Sequence, residues 1–261
     1  MAGRIVVTQR GAIGEIRIDN PAKFNAMSLA MWQDLATNVQ ALARDPAMRV
    51  LLLRGEGSKA FVSGADISEF DHNRNAETGS GAYDSAVQNA QDTIVACPLP
   101  VVACVHGVCM GGGLALAMAC DLRHGAEDAR FRMPAARLGL GYSFRGIEHM
   151  VHTLGAARTA ELFMTARAFD GQEATRIGLL HAAHPAAELD ALVEETLQQI
   201  AANAPLTVRL AKRSIALAQH RAQEQHNAEI ETLRAQCLAS ADYAEGRRAF
   251  AEKRTPRFTG Q

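Results

Sequence analysis

A run of small and apolar residues from Leu99 to Cys120 constrains the fold of this chain more than any other segment. Its sequence is LPVVACVHGVCMGGGLALAMAC, which is long enough for one membrane-spanning helix. A histidine, four glycines and a proline near its start argue against a span, because they would interrupt a lipid-facing helix. The pattern instead predicts a buried strand, a glycine loop and a buried helix.

The same order of elements occurs twice in the sequence. A buried strand, a glycine-bearing loop and a helix start are expected in Arg49–Phe70 and again in Val101–Cys120. Strands that are apolar at nearly every position are typical of parallel sheets covered on both faces. The sequence therefore predicts an α/β fold.

The remaining segments predict further strands and helices. Residues 4–19 form two expected strands around a glycine turn, and Ser28 is a suitable N-cap for a helix from Leu29 towards Arg44. Residues 121–134 predict another pair of strands that turns at Gly125, and the polar segment Asp71–Gly81 predicts a mobile surface loop. Apolar spacing predicts helices at Tyr83–Ala96, Ala156–Phe163, Gln172–Ile177, Ala187–Ala202, Thr207–Ala239 and Ala241–Lys253.

Composition limits the partners of the protein. The 261 residues carry a net charge of -1, so the chain lacks the basic surface that nucleic-acid binding requires. The five cysteines are odd in number and lack metal-ligand spacing, which predicts buried thiols in a reducing compartment and no metal site. The N-terminal residues MAGRIVVTQR lack the apolar core of roughly 7–15 residues of a signal peptide. A cytoplasmic protein without a membrane partner is expected.

The glycine loops suggest chemistry performed by the backbone. The first N–H groups of a helix have no intrahelical acceptor, and glycine lets a ligand approach them closely. Two such loops could direct two N–H groups at one oxygen and form an oxyanion hole, although a triple glycine is also compatible with close packing of a helix on a sheet. Neither a Walker pattern nor a dinucleotide-binding fingerprint is present in the sequence.

The segment VACVHGVCMGGGLALAMACDL closely resembles the signature of the crotonase superfamily, the enoyl-CoA hydratase/isomerase family. The segments NPAKFNAMS, KAFVSGADISEF, ARFRMPAARLGLG and DYAEGRRAFAEKRTPRFTG resemble its other landmarks in the same order. The resemblance implies a spiral of repeated ββα units in residues 1–200, followed by a helical trimerisation region in residues 201–261. A homotrimer or a dimer of trimers is expected.

The resemblance also implies an acyl-CoA thioester as the substrate and no separate cofactor, since coenzyme A is part of the substrate. It assigns the two oxyanion-hole amides to Ala65 and Gly112. Lys23 and Lys59 are the expected cations beside the coenzyme A phosphates, with Arg254 or Arg257 as candidates for the 3′-phosphate, unless these are ordinary surface charges. Asp66 can instead cap a helix that starts at Ile67. The substrate-binding prediction comprises Lys23, Lys59, Ser63, Gly64, Asp66, Ile67 and Gly111.

Two positions depart from the hydratase pattern. Hydratases of the family carry glutamates at the positions held here by Ala115 and Ala135, and alanine cannot transfer a proton. Tyr142 aligns by spacing with a pocket tyrosine of the methylmalonyl-CoA decarboxylases in this superfamily. A phenol can protonate an enolate, although Tyr142 can equally be a pocket aromatic. His106 is expected to be a hydrogen-bonded structural histidine.

The sequence therefore predicts an acyl-CoA lyase or isomerase that acts through a thioester enolate. Hydration by the usual glutamate pair is not available. Decarboxylation of a small carboxyacyl-CoA such as methylmalonyl-CoA is one alternative, because loss of CO₂ generates the enolate without a base. A non-catalytic acyl-CoA-binding member of the family is another.

Overall fold

A computed structural model describes residues 2–66, 80–138, 142, 144–219, 232, 235–236, 239–252 and 254–261. The predicted loop from Asp71 falls mostly outside these residues, as do Ile67, Lys253 and most of the predicted helix Thr207–Ala239 beyond Gln219. Ser80 and Gly81, the first described residues after that gap, already belong to a helix.

A six-stranded sheet forms the centre of the molecule, with the strand order β1-β2-β3-β5-β7-β10. Its N-terminal hairpin is antiparallel and all other pairs are parallel. β3 and β5 are buried almost throughout, as their continuous apolar sequences predict. The strands are β1 (Arg4–Arg10), β2 (Ile13–Asp19), β3 (Val50–Gly55), β5 (Val101–Val105), β7 (Leu122–Ala126) and β10 (Ala182–His184).

A smaller sheet has the order β4-β6-β8-β9, in which the first three strands are parallel. Its strands are β4 (Ala60–Val62), β6 (Val108–Met110), β8 (Arg130–Arg132) and β9 (Ala168–Phe169). Three pairs of consecutive strands each contribute one strand to the large sheet and one to the small sheet. The pairs are β3 with β4, β5 with β6, and β7 with β8. The weak sequence repeat therefore corresponds to a repeated structural unit.

Helices follow these strand pairs and cover the sheets. Ser28 caps the first helix as predicted, since its side chain accepts a hydrogen bond from the Met31 amide. The helices are α1 (Leu29–Arg44), α2 (Ser80–Ala96), α3 (Gly112–Ala119), α4 (Ala135–Leu138), α5 (Phe144–Leu154), α6 (Ala156–Thr165), α7 (Gly171–Arg176), α8 (Leu189–Ala202), α9 (Pro205–Gln219) and α10 (Ala241–Glu252). No helix in the described part of the chain is long and apolar enough to cross a membrane.

The predicted turn at Gly125 is wrong. Gly125 lies inside β7, and the chain turns at Glu127 and Asp128 instead. A β-carbon at Gly125 would lie 2.7 Å from Leu180 Cδ1, so the glycine makes room for a neighbouring side chain within the sheet. β7 and β8 are also not a hairpin, because they belong to different sheets.

The C-terminal residues are attached to α10 by two acidic side chains. Asp242 accepts hydrogen bonds from the Thr259 and Gly260 amides, and Glu245 forms an ion pair with Arg254. Hydrogen bonds from Arg254 and Arg248 lower the pKa of Glu245. The predicted division of the chain at residue 200 stays a prediction, and α8 extends across that position. The predicted trimerisation role of residues 201–261 is likewise untested.

Candidate active site

The parallel strands of the small sheet bring three loops to one edge. Val62 of β4 pairs with Cys109 of β6, and Met110 of β6 pairs with Arg132 of β8. The carboxyl ends of these strands therefore lie side by side. The segments that follow them begin at Ser63, Gly111 and Met133, and ligands of α/β proteins bind at such strand ends.

The backbone geometry around Ala65 directs its N–H group away from Met27. Met27 and Ala65 form a parallel bridge, in which the Met27 amide donates to Gly64 O at 2.9 Å and the Asp66 amide donates to Met27 O at 2.9 Å. In such a bridge the central residue directs its own N–H to the opposite side. Within the described residues no group accepts a hydrogen bond from the Ala65 amide.

The second amide lies at the start of α3. Gly111 precedes the helix with a φ of 53°, a conformation that favours glycine, and its amide donates to Arg132 O at 3.0 Å. The first hydrogen bond of the helix runs from the Ala115 amide to Gly111 O. The Gly112 amide therefore has no acceptor in the described structure, as expected for a first-turn N–H group.

The two amide-bearing loops are in contact. A β-carbon at Gly64 would lie 3.6 Å from Met110 O, so the backbones after β4 and β6 are neighbours. A β-carbon at Gly113 would overlap the Val62 carbonyl oxygen, so the first turn of α3 lies directly on the end of β4. Both Ala65 and Gly112 remain partly exposed. The structure thus brings together the two residues that the sequence assigned to an oxyanion hole.

The two lysines predicted to contact coenzyme A differ in their surroundings: Lys23 is ion-paired and Lys59 is exposed. Lys23 forms an ion pair with Asp66, with Nζ 2.7 Å from Oδ2, and the Ser63 hydroxyl donates to Lys23 O at 3.2 Å. Lys23 therefore lies beside the Ala65 loop but already faces a carboxylate. Lys59 is exposed and lies directly before β4. The predicted cap of a helix at Ile67 by Asp66 lies outside the described residues.

Tyr142 and Tyr83 differ in burial and in the contacts that they make. Tyr142 is half-buried and packs edge-on against Phe163 of α6, with ring centroids 5.2 Å apart. Tyr83, the first residue of the helix predicted at Tyr83–Ala96, is 2% exposed and its hydroxyl donates to Met27 O at 3.0 Å. Tyr83 also accepts a hydrogen bond from Trp32 Nε1 at 2.8 Å. Neither of these last two contacts was predicted.

Comparison with known proteins decides the family. The family model for enoyl-CoA hydratase/isomerase matches residues 8–261. The chain belongs to the enoyl-CoA hydratase/isomerase family. The predicted crotonase-type α/β fold is therefore confirmed.

Individual relatives of this family match nearly the whole chain. Human enoyl-CoA hydratase domain-containing protein 2, mitochondrial, is 34% identical over 257 residues, which cover 95% of this chain and 86% of the relative. Crotonyl-CoA hydratase from Syntrophomonas wolfei is 31% identical and covers 97% of both chains. The crystal structure of an enoyl-CoA hydratase/carnithine racemase from Magnetospirillum magneticum has a TM-score of 0.94 and 37% identity, over 98% of this chain and 96% of that one.

In this family member, the two alanines that the resemblance assigns to glutamate positions lie beside the amide-bearing loops. Ala115 lies one turn into α3, and Ala135 begins α4 directly after β8 and Pro134. A β-carbon at Gly111 would lie 3.7 Å from Pro134 Cδ, so Ala135 is next to the glycine loop. Ala115 is 6% and Ala135 4% exposed. Neither residue can donate or accept a proton there.

A separate charged cluster lies between the large sheet and α8. A cavity of about 220 Å³ is lined there by Arg54, Cys104 and Asp190, among others. His106 forms the predicted structural hydrogen bond, with Nε2 2.9 Å from Asp190 Oδ1. Burial raises the pKa of Asp190, but the His106 hydrogen bond and the Arg54 charge outweigh it and lower that pKa.

Chemistry at this cluster is disfavoured by its electrostatics. Cys104, His106 and Asp190 present ligand atoms within 4.8 Å of one another, a spacing that a metal ion could use. However, burial raises the pKa of Cys104 to about 12, so the thiol stays protonated, and the Arg54 cation is 3.1 Å from Asp190. The cluster therefore resembles a structural ion-pair network between the sheet and α8.

Proposed function

We propose that the protein acts on an acyl-CoA thioester and stabilises its enolate with the amides of Ala65 and Gly112. The observation that carries this proposal is the pair of backbone amides in two touching loops at the carboxyl ends of β4 and β6, for which the described part of the chain offers no acceptor. When an enolate forms, the negative charge develops on the thioester oxygen. Two preorganised N–H groups directed at that oxygen lower the barrier because they need no reorientation during the reaction.

The alanines favour a reaction that needs no acid–base pair. Hydration requires groups that position a water molecule and move its proton, and neither Ala115 nor Ala135 can do so. Decarboxylation of a small carboxyacyl-CoA such as methylmalonyl-CoA requires less. The bond between the α-carbon and the carboxylate breaks, its electron pair becomes the enolate, and CO₂ departs. One proton must then reach the α-carbon.

Tyr142 is the proposed source of that proton. Its phenol is half-buried on the segment that follows α4, seven residues beyond Ala135. A phenol is neutral at pH 7 and can donate its proton to an enolate, after which solvent restores it. Packing against Phe163 holds the ring from one side.

The first experiment measures reaction type on two substrates. Methylmalonyl-CoA labelled with ¹³C in its free carboxylate reports release of labelled CO₂ and formation of propionyl-CoA. Crotonyl-CoA reports hydration through loss of the enoyl-thioester absorbance. We expect CO₂ release to be much faster than hydration. Rapid hydration without CO₂ release would contradict the decarboxylase proposal.

Tyr142→Phe tests the proton source. Loss of a general acid typically slows the chemical step by about 10²–10⁴-fold, and we expect kcat for CO₂ release to fall within this range. Tyr243→Phe removes the same hydroxyl from α10 and serves as the matched control, with the wild-type rate expected. A Tyr142→Phe variant that releases CO₂ at the full rate would reduce Tyr142 to a packing residue.

The lack of an acid at positions 115 and 135 also favours one alternative, a family member that binds acyl-CoA without converting it. Binding across a panel of acyl-CoAs with no turnover of any of them would support this alternative. A cytoplasmic location and a homotrimer or dimer of trimers remain part of the proposal. The names of several relatives place those proteins in mitochondria.

A further inference from the structure

A buried aromatic pair connects the two amide-bearing loops. Tyr83 lies in the first turns of α2 and Trp32 in the first turns of α1, and both side chains are almost inaccessible to solvent. They are 51 residues apart in the chain and joined by the hydrogen bond from Trp32 Nε1 to the Tyr83 hydroxyl, at 2.8 Å. Buried indole and phenol groups usually have hydrogen-bond partners. In this pair, the contacts lead to the two amide-bearing loops.

The tyrosine end of the pair holds the Ala65 loop. The Tyr83 hydroxyl donates to Met27 O at 3.0 Å. That oxygen also accepts the Asp66 amide, while the Met27 amide donates to Gly64 O. Met27 therefore clamps the residues on both sides of Ala65, and Tyr83 fixes Met27.

The tryptophan end touches the Gly112 loop. A β-carbon at Gly112 would lie 3.5 Å from Trp32 Cζ2 and 4.0 Å from Trp32 Cη2, so the indole ring is next to this glycine, on the side where a side chain would project. The Tyr83 oxygen accepts the hydrogen bond from the Trp32 indole N–H, and the Tyr83 hydroxyl proton is donated to Met27 O. One continuous set of contacts thus runs from Gly112 through Trp32, Tyr83 and Met27 to the residues around Ala65.

We propose that Trp32 and Tyr83 are positioning residues that set the separation and direction of the Ala65 and Gly112 amides. This inference rests on the proposed oxyanion hole. Two amides on different loops act together only if both are directed at one oxygen, and misplacement of a reacting group by about 1 Å can cost on the order of 10²-fold in rate. A hydrogen-bonded aromatic pair between the loops supplies that rigidity from behind the site, without touching the substrate.

The decisive readout is the carbonyl stretching frequency of bound butyryl-CoA labelled with ¹³C at its thioester carbon. Hydrogen bonds from two aligned amides polarise this carbonyl and lower its frequency, whichever reaction the protein catalyses. In Tyr83→Phe we expect the carbonyl frequency of bound butyryl-CoA to be lowered less than in the wild type. We also expect kcat for CO₂ release to fall about tenfold, with KM changed less than about twofold.

Tyr243→Phe is the matched control, since it loses a hydroxyl on α10, and its frequency and kcat should equal those of the wild type. Trp32→Phe tests the other end of the pair and replaces Tyr83→Phe if that variant does not fold. Because both side chains act in series through one hydroxyl, the double variant should lose about as much as the more affected single variant. If the fold losses in kcat of the two single variants multiply in the double variant, the two side chains act independently and the proposed series of contacts is overturned.

The outcomes separate the two proposals. If the wild type does not lower the carbonyl frequency of bound butyryl-CoA, the oxyanion hole itself is refuted. If the wild type lowers it and folded Tyr83→Phe does so equally, with unchanged kcat, the hole stands and the positioning role is refuted. A uniform rise in KM with unchanged kcat and carbonyl frequency would also contradict positioning.

Discussion

At Gly113 the first turn of α3 meets the backbone of β4 so closely that a β-carbon would overlap the Val62 carbonyl oxygen and lie 2.7 Å from Val62 Cβ. The helix start can therefore approach the strand end only through glycine. The three consecutive glycines have separate tasks. Gly111 turns the chain, Gly112 presents its amide, and Gly113 permits the close contact.

Gly113→Ala should destabilise the protein, because rigid backbone atoms of β4 must move to admit the methyl group. Overpacking of this kind costs about 1–3 kcal/mol, and each kcal/mol lowers Tm by about 2–4 °C in a chain of this size. Thermal unfolding followed by circular dichroism measures the loss. Gly81→Ala is the matched control, since a β-carbon there meets nothing within 4 Å, and its Tm should not fall below that of the wild type. A Gly113→Ala protein with the wild-type Tm would show that the contact is not close.

The candidate site residues differ in how far the sequence can indicate them. The family resemblance of the surrounding motifs assigns the two amides to Ala65 and Gly112; the structure places both residues in touching loops, and their role stays a prediction. The Trp32–Tyr83 hydrogen bond could not be found from the sequence, because it depends on how α1 and α2 pack together. The available signal was a single tryptophan on the apolar face of a predicted helix, whose N–H group would need a partner when buried.

Among the elements, β10 is held to the large sheet partly by histidines. His124 of β7 stacks on His184 of β10, with Nδ1 and Nε2 3.2 Å apart. The Arg123 amide donates to His181 Nδ1 at 3.2 Å, directly before β10. Burial and the charge of the Arg123 guanidinium lower the pKa of His181 to about 4, and burial together with His184 lowers the pKa of His124.

These shifts predict that mild acid weakens the attachment of β10. An unfolded histidine has a pKa of about 6.5, so between pH 6.5 and pH 4 the unfolded chain binds protons that the folded chain excludes. The contribution of His181 is complete above pH 6.5 and declines as the pH falls towards 4. In His181→Asn, an amide oxygen replaces the Nδ1 acceptor and does not titrate. Its Tm should decline less than that of the wild type between pH 7 and pH 4.5. Parallel declines would contradict this account of His181.

The incorrect prediction of a turn at Gly125 has a physical cause. The sequence predicts a turn at Gly125 because glycine usually interrupts a strand, yet this glycine makes room for Leu180 inside β7. Local sequence gives the conformational freedom of a glycine but not the side chain that approaches it. The buried strands β3 and β5 were predicted correctly, since their nearly continuous apolar sequences can fold only where both faces are covered.

For the whole molecule, the repeated unit explains the position of the site. Each unit places one strand in the large sheet and one in the small sheet, so the small sheet collects equivalent strand ends from successive units. Ala65 follows one of these strand ends, Gly112 the next and Ala135 the third. The sequence predicted this architecture through its family resemblance. The acyl group and the reaction depend on side chains that surround the substrate, and the motifs do not determine these.

The most direct test of the central claim compares two substitutions at Gly112. Gly112→Pro removes the amide, and proline is compatible with the first position of a helix, so the fold should be retained. Gly112→Ala keeps the amide, and its methyl group would meet Trp32 at an ordinary contact distance of 3.5 Å.

The measurement is the carbonyl frequency of bound ¹³C-labelled butyryl-CoA, taken together with kcat. The account predicts that Gly112→Pro loses much of the frequency lowering and about 10²–10³-fold in kcat, while Gly112→Ala keeps most of both. A folded Gly112→Pro protein with the wild-type frequency and rate would contradict it.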